Sequence, residues 1–177
     1  MKSDLSPNIA IKFLPHFPTV LVGTGKGKGS NLITAAMIHV FSIDPPIIGI
    51  GISPKRHSHK LLEEHPEFTV NVPTKDMFQE MLGCGKESGR DIDKFEEYDL
   101  TKENSKTITT PGVKECPLII ECTVMDKIEI GDHDWFLGEV RHGKRWEEYR
   151  REDLIFYWGG EFRTTGSVIK NEKKEED

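Results

Sequence analysis

Short apolar segments rich in β-branched residues, separated by turn residues, constrain the fold of this chain more than any other feature. Three of them are residues 19–23, 47–52 and 118–130. β-Branched and apolar residues favour strands, and strands that follow each other at short spacing with turn signals are typical of barrels and sandwiches. The sequence therefore predicts a mainly β fold, and not a doubly wound sheet.

Weaker patterns complete the predicted elements. Further strands are predicted at 30–36, 68–72, 135–141 and 161–168, a turn at 131–134, a helix that begins at Ser58, a helix that Thr74 caps and that runs through Leu82, and a short helix around 93–95. Because no internal repeat or linker divides the 177 residues, we expect a single domain. The charged tail, residues 170–177, is expected to be disordered.

Composition excludes several classes of function. Hydrophobic residues make up 36% and charged residues 31% of the chain, and the net charge of −6 disfavours binding to nucleic acid or to an anionic membrane. No apolar run approaches the roughly 20 residues that a membrane span needs. Three cysteines without a Cys-x-x-Cys pair exclude a disulfide framework and a zinc ribbon. We expect a soluble protein of the reducing cytoplasm.

Two motifs that suggest other sites do not meet the spacing rules. The glycine-rich turn at 24–29 lacks the spacing of a phosphate loop and of a dinucleotide fingerprint, which favours a plain hairpin tip. His57 and His59 are two residues apart and would not face each other on a helix, which disfavours a metal site.

The segment 53–58 is a candidate phosphate site. It carries the hydroxyls of Ser53 and Ser58 together with Lys55 and Arg56, between a buried strand and a helix. Helix N-termini favour anions, and arginine adds a two-pronged donor. A solvated helix cap explains the same residues about equally well.

Other polar residues also allow two interpretations. Asn31 and Thr34 could bind a hydrogen-bonding ring or satisfy neighbouring backbone groups. His133 could supply a proton near a redox ring or simply complete a turn with Gly131 and Asp132. Cys84, without a paired cysteine or an obvious base, is more typical of a structural thiol than of a reactive one.

An ordered set of short motifs resembles the flavin reductase-like family with an FMN-binding split barrel, especially its flavoredoxin-like branch. The resemblance runs from about Phe17 to about Gly166. The motifs are Asn31-x-x-Thr34-Ala35-Ala36, Ser42-x-Asp44-Pro45-Pro46, Arg56-x-Ser58, Phe68 to Val72, Ser88 to Phe95, Gly131-Asp132-His133, Gly138-Glu139-Val140 and Tyr157-Trp158-Gly159-Gly160. Each motif is weak alone, whereas the ordered set is fairly specific.

The resemblance implies a six-stranded Greek-key split barrel with a few helices, which forms a homodimer with FMN near the interface. By match to the family, the flavin ring and ribityl chain would contact Asn31, Thr34, Ala35 and Ala36, and the phosphate would contact Ser53, Arg56 and Ser58. Four further residues would complete the pocket: Asn71, Cys84, Ser88 and Lys94. His133 would lie near the nicotinamide or the ring edge.

The resemblance implies an oxidoreductase that passes electrons from NADH or NADPH through FMN to free flavin, a ferric complex or a redox partner protein. The rival interpretation is a non-enzymatic FMN-binding electron carrier that a partner protein reduces. Met37 departs from the family pattern, because many relatives carry a bulky aromatic at that point. The shelf over the ring is therefore expected to differ.

Overall fold

The computed structural model describes residues 2–14 and 17–169, and β-strands are its dominant elements. In chain order the strands are β1 (Phe17–Pro18), β2 (Val20–Thr24), β3 (Asn31–Ala35), β4 (Ile38–Ser42), β5 (Ile47–Ile52), β6 (Glu67–Val72), β7 (Lys102–Glu103), β8 (Gly112–Val113), β9 (Leu118–Ile130), β10 (His133–Arg145), β11 (Phe156–Trp158) and β12 (Glu161–Arg163).

The described chain also contains four short α-helices and four 3₁₀ turns. The helices are α1 (Pro7–Ala10), α2 (His57–Glu64), α3 (Phe78–Lys86) and α4 (Lys94–Glu97), and the 3₁₀ turns are Ile11–Phe13, Gly27–Gly29, Lys75–Met77 and Arg151–Asp153. None of the described helices is long and apolar enough to cross a membrane.

Seven of the strands form one curled antiparallel sheet, in the order β3-β2-β6-β9-β10-β5-β4. The pairs β2–β3, β4–β5 and β9–β10 are hairpins of consecutive strands. By contrast, β5 and β6 are consecutive in the chain but are separated in the sheet by β9 and β10, and α2 connects them. This mixture of hairpins and a long return connection is the Greek-key arrangement.

The predicted mainly β, Greek-key fold is confirmed, and several elements have the predicted bounds. Strands β5 and β9 cover 47–52 and 118–130, and the short helix at 93–95 appears as α4. The sheet has seven strands because residues 38–42, for which no strand was predicted, form β4 at its edge. Strand β10 begins at His133, so the turn before it is shorter than predicted, and β12 ends at Arg163.

The interior of the barrel is one apolar cluster built from alternate residues of the strands. Val20 and Val22 of β2 point into it, whereas Leu21 between them points outward. Phe68 and Phe136 are its largest fully buried side chains. Since neighbouring residues of a strand face opposite sides, one strand can line the barrel and also support a second layer.

That second layer lies between the outer face of β2 and β3 and the helix α3. Leu21 and Leu32 pack there against Met77, Met81 and Cys84. Lys94 and Phe95 of α4 are also buried on this side. The helix α3 is thereby fixed against β3, and this contact places the loop that follows α3 beside the first residues of β3.

The tail at 170–177, for which disorder was predicted, lies outside the described residues. The polypeptide up to Ile169 includes the hairpin β11–β12, whose turn consists of Gly159 and Gly160. Both glycines have positive φ, 57° and 107°, a conformation that glycine adopts without steric cost.

Gly138 on β10 is expected to be required for packing. A Cβ built at Gly138 would fall on the ring of Phe68 and 2.9 Å from the Cβ of Cys122, whereas one built at Gly143 on the same strand meets nothing closer than 3.9 Å. We expect Gly138→Ala to lower the free energy of unfolding by about 1–3 kcal/mol through overpacking. Gly143→Ala is the control and should change it by less than about 0.5 kcal/mol. Urea denaturation measures both, and equal stabilities would contradict the packing argument.

Candidate functional site

A cavity of about 220 Å³ opens where the first turn of α2, the start of β3 and the loop after α3 meet. Three separate parts of the chain supply its wall, and the fold alone brings them together. The lining residues are Asn31, Ile33, Lys55, Arg56, His57, Ser58, Gly85, Glu87, Ser88, Gly89, Arg90 and Lys94.

The wall of the cavity is strongly cationic. Lys55, Arg56, Arg90 and Lys94 line it, against the single carboxylate of Glu87. Within residues 2–14 and 17–169, none of these four cations has a carboxylate partner at ion-pair distance. Uncompensated like charges that converge on one concave surface create a positive potential there, so the cavity favours an anion.

Lys94 is buried in the floor of the cavity, with 3% of its surface exposed. Its ammonium donates hydrogen bonds to the carbonyls of Leu32 and Cys84, each at 2.7 Å, and so joins β3 to α3. Burial lowers the pKa of Lys94 from its ordinary value. An ammonium has three N–H donors, so two hold the protein together and one remains for a ligand.

Asn31 places an unpartnered acceptor in the same wall. Its Nδ2 donates to the Ser58 hydroxyl at 2.8 Å, which ties β3 to the first turn of α2. Its Oδ1 is buried and has no hydrogen-bond partner among the described residues. The backbone of Gly89 lies directly over this oxygen, where a Cβ would collide with it. Buried polar atoms are normally satisfied, so the orphaned oxygen marks a place for a ligand donor.

His57 begins α2 and faces the cavity. Its Nδ1 is a second buried atom without a partner in the described chain. Burial is the largest cause of its lowered pKa, followed by the positive charges of Arg90, Lys60 and Lys94. Burial therefore favours the neutral imidazole, and the positive field that favours an anion in the cavity acts in the same direction.

His133 stands at the start of β10, near the cavity but not in its lining. Its Nδ1 lies 2.8 Å from Oδ1 of Asp132, and this hydrogen bond lowers the pKa of the Asp132 carboxyl. Lys55, which does line the cavity, also acts electrostatically on Asp132. The hairpin turn at 131–132 thus lies on the Lys55 side of the site, with the His133 side chain 29% exposed.

The structure brings five of the predicted site residues together around this cavity: Asn31, Arg56, Ser58, Ser88 and Lys94. The others lie outside its lining. Thr34 donates to the Met81 carbonyl and contacts α3, Ala35 is buried in the barrel core, and Ala36 follows directly on β3. The Ser53 carbonyl accepts a hydrogen bond from the Arg56 amide at 2.9 Å and so shapes the turn that carries the cations.

Asn71 and Cys84 were predicted to complete the pocket, but their side chains belong to the protein interior. Asn71 donates to the Leu21 carbonyl and the Thr69 hydroxyl, and its Oδ1 accepts from the Val113 amide, so its amide group is engaged within the fold. The Cys84 thiol is fully buried in the second layer, and burial raises its pKa to about 11. Cys84 meets the site only through its carbonyl, which accepts from Lys94.

Sequence reasoning missed several members of the cavity, notably His57, Arg90 and Gly89. All three lie within the two motifs that carried the prediction, since His57 stands between Arg56 and Ser58, and Gly89 and Arg90 follow Ser88. His57 was considered only as a metal ligand. Counting every cationic and every hydrogen-bonding side chain within the two motifs would have included Arg90 and His57. The role of Gly89 follows only from its contact with Asn31 in the fold.

The chain is similar to known proteins along most of its length. An uncharacterized protein from Archaeoglobus fulgidus is 35% identical over 132 residues, which cover 75% of this chain and 74% of that protein. An NADH-dependent FAD reductase from Streptomyces globisporus is 30% identical over 160 residues, 83% of this chain and 79% of that enzyme.

Solved structures agree at the level of the fold. The flavoredoxin of Desulfovibrio vulgaris (Miyazaki F) superposes with a TM-score of 0.87 at 24% identity, with 99% of each chain covered. This likeness supports the split-barrel architecture. The family model of the flavin reductase like domain matches residues 15–166. The chain therefore belongs to the flavin reductase-like family.

Proposed function

We propose that this protein is an FMN-dependent oxidoreductase that takes electrons from NADH or NADPH and passes them to free flavin, a ferric complex or a redox protein. The observation that carries the proposal is the cationic cavity at the start of α2, with its two orphaned polar atoms, on the scaffold of a flavin reductase-like domain. In this family of folds the flavin carries the redox chemistry, and the protein binds, orients and tunes it.

The residues of the cavity fit the phosphate of FMN. A phosphate monoester is a dianion with several acceptor oxygens, and the cavity offers the guanidinium groups of Arg56 and Arg90, the ammonium of Lys94 and the hydroxyls of Ser58 and Ser88. Arginine recognises phosphate with paired donors, and the first turn of a helix adds backbone amides. Because this is one compact phosphate site, we propose FMN, and not FAD, as the bound cofactor.

The ribityl chain and the ring are proposed to extend along β3, from Asn31 toward Thr34, Ala35 and Ala36. Asn31 holds the phosphate end through its hydrogen bond to Ser58 and offers its free Oδ1 to a ribityl hydroxyl. Beyond Ala36 comes Met37, 45% exposed, so a flexible thioether stands at the proposed ring end of the site.

In the proposed enzyme His133 acts at the nicotinamide end. When bound, FMN supplies the hydride-accepting chemistry. Asp132 accepts from Nδ1–H of His133 and so orients the imidazole. Nε2 is then left to accept a proton at the mouth of the site while the ring is neutral, and to donate it once the ring is protonated. No protein nucleophile is needed for this chemistry.

A second candidate is a non-enzymatic electron carrier, which the likeness to a flavoredoxin fold favours. The two are separated by mixing the purified protein anaerobically with NADH and then with NADPH. Bleaching of a bound flavin by a nicotinamide supports the enzyme. A yellow protein that only dithionite or a partner protein reduces supports the carrier.

Extraction and chromatography of the bound flavin test its identity. Recovery of FAD alone would exclude FMN.

We also propose a homodimer in which a second copy covers the β4 edge of the sheet. Val40, Phe41 and Ile43 are exposed there by 53%, 48% and 83%, next to the exposed Met37. An apolar edge strand with unpaired backbone groups is an aggregation hazard unless something covers it. Light scattering tests this, and a protein that binds FMN tightly while monomeric at all concentrations would exclude the dimer.

The proposed compartment is the reducing cytoplasm. Cys84, Cys116 and Cys122 are all free and all buried in the fold. Localisation of a tagged chain, or its thiol state in the native cell, tests this assignment.

Arg56→Ala is expected to weaken FMN binding by roughly 10- to 100-fold, because it removes charged hydrogen bonds to the phosphate. Arg56→Lys should recover only part of the affinity, since lysine is a point donor. Arg141, whose ion pair with Glu139 lies outside the cavity, provides the control, and Arg141→Ala should bind FMN as the parent does. Fluorescence titration measures the dissociation constants, and an unchanged value for Arg56→Ala would refute the assignment.

The pKa of His57 should report the phosphate directly. In the flavin-free protein it lies below 6.5 because of burial and the field of Arg90, Lys60 and Lys94. Neutral His57 therefore stabilises the fold above that pH, and this stability is lost as the pH falls below 6.5. FMN should raise the pKa by adding negative charge, whereas riboflavin, which lacks the phosphate, should not. NMR titration of the imidazole tests this, and equal effects of both ligands would count against a phosphate beside His57.

His133→Asn is expected to affect turnover more than flavin affinity. The variant should remain yellow and dimeric, because His133 does not line the cavity. Flavin reduction by NADH or NADPH should slow by about 10²-fold, the lower range for a lost acid–base group. Stopped-flow absorbance measures the rate. If the variant is reduced as fast as the parent, His133 has no catalytic role and the electron-carrier interpretation gains support.

A further inference from the structure

The loop 53–58, by which we mean the turn after β5 together with the first two residues of α2, is attached at both of its ends to one residue, Asp134. It supplies four of the lining residues of the cavity. Ile52, the last residue of β5, lies directly opposite Asp134 in the β5–β10 ladder. His59, the first residue after the loop, has its Nε2 2.6 Å from Oδ2 of Asp134. One end is thus held by backbone pairing and the other by a side-chain hydrogen bond.

The side-chain contact is buried. His59 is 6% exposed and Asp134 is 7% exposed, and the His59 ring also packs edge-on against Phe136 at 5.1 Å between ring centres. A buried contact between an imidazole and a carboxylate requires close geometry, because the carboxylate left alone would keep an uncompensated charge and the imidazole an unsatisfied polar group. The pair therefore holds α2 at a defined distance from the start of β10.

Other charges surround the pair without replacing it. Glu63 lies 3.6 Å from Nδ1 of His59, and Lys127 on β9 lies 3.6 Å from Asp134 and 2.9 Å from Glu63. Glu129, 3.4 Å from Lys127, is the outermost member. Glu63 is 48% exposed and Lys127 is 30% exposed, so these outer pairs are weaker and more screened than the one between His59 and Asp134.

Few other side chains tie the loop to the barrel. Pro54, Lys55 and Arg56 are exposed, and the Asn31–Ser58 hydrogen bond is the side-chain link from the loop itself to β3 within the described residues. Closing a short loop restricts its conformations, so fixing both ends orders the residues between them. Without that order, Lys55, Arg56, His57 and Ser58 would lose entropy on binding an anion, which would lower the affinity.

We propose that Asp134 and His59 are positioning residues that clamp the loop 53–58 and thereby set the anion affinity of the cavity. This inference rests on the proposed function only in taking FMN as the anion. The same clamp fixes the loop relative to His133, since His133 and Asp134 are neighbours at the start of β10.

The test compares Asp134→Ala and His59→Gln with two controls. Lys127→Met removes the ion pairs of Lys127 with Glu63, Glu129 and Asp134 but leaves the clamp. Glu121→Gln is the matched control for lost stability, because Glu121 is a fully buried carboxylate that accepts from Lys106 and Thr107 and so holds a loop outside the cavity. Asp134→Asn keeps an oxygen that can accept from Nε2–H of a neutral His59.

Asp134→Ala and His59→Gln should each raise the FMN dissociation constant by about tenfold, as loss of a supporting residue does at other sites. Asp134→Asn should keep most of the affinity, and both controls should bind as the parent does at temperatures where every variant is folded. In the flavin-free protein, amides 55–60 should exchange faster in Asp134→Ala than in Glu121→Gln. If Asp134→Ala does not fold, His59→Gln supplies both measurements.

Parent-like FMN affinity in folded Asp134→Ala and His59→Gln would overturn the clamp. So would unchanged exchange of amides 55–60, and that measurement needs no flavin. If the parent itself binds no FMN, the proposed function fails while the exchange data still decide whether the clamp exists.

Discussion

The antiparallel pairing of β9 with β10 is the interaction on which the rest of the structure depends. The two strands, each 13 residues long, pair along nearly their whole length, from His133–Ile130 to Arg145–Leu118. Their outer edges then pair with β6 and β5. A one-residue slip in this register would turn Phe136 out of the core and move Asp134 away from His59, so the barrel interior and the clamp depend on the same ladder.

The cavity is cationic because neutral groups, and not carboxylates, make the hydrogen bonds that hold its lining in place. Lys94 is held by two carbonyls and Ser58 by an amide, while carboxylates such as Glu63 and Asp134 are engaged on the other side of α2. A carboxylate among the lining cations would cancel the field that an anion needs. Glu87 is the one carboxylate in the lining, against four cations.

Much of the fold could be predicted because strands leave a periodic signal. The bounds of β5 and β9 follow from apolar runs that end at turn residues, and the start of α2 lies within one residue of its predicted position. The strand β4 gave a weaker signal because an edge strand needs no continuous apolar run, and Val40 and Phe41 on it are exposed. The turn before β10 was predicted to be too long because glycine and aspartate favour a turn locally. Pairing of His133 with Ile130 extends β10 back to His133.

The resemblance to the flavin reductase-like family implied the Greek-key class. The sequence by itself determined most strands of the main sheet and the two motifs, around Arg56 and Ser88, that carry most of the cations. It could do so because hydrophobic alternation, turn chemistry and charge are local properties. Only the tertiary structure decided that Asn71 is committed to the interior, that Lys94 is a buried link between β3 and α3, and that His57 faces the cavity while His59 faces Asp134. Those outcomes depend on which distant segments approach each other. A residue 75 positions away along the chain fixes His59, and no local pattern contains that distance.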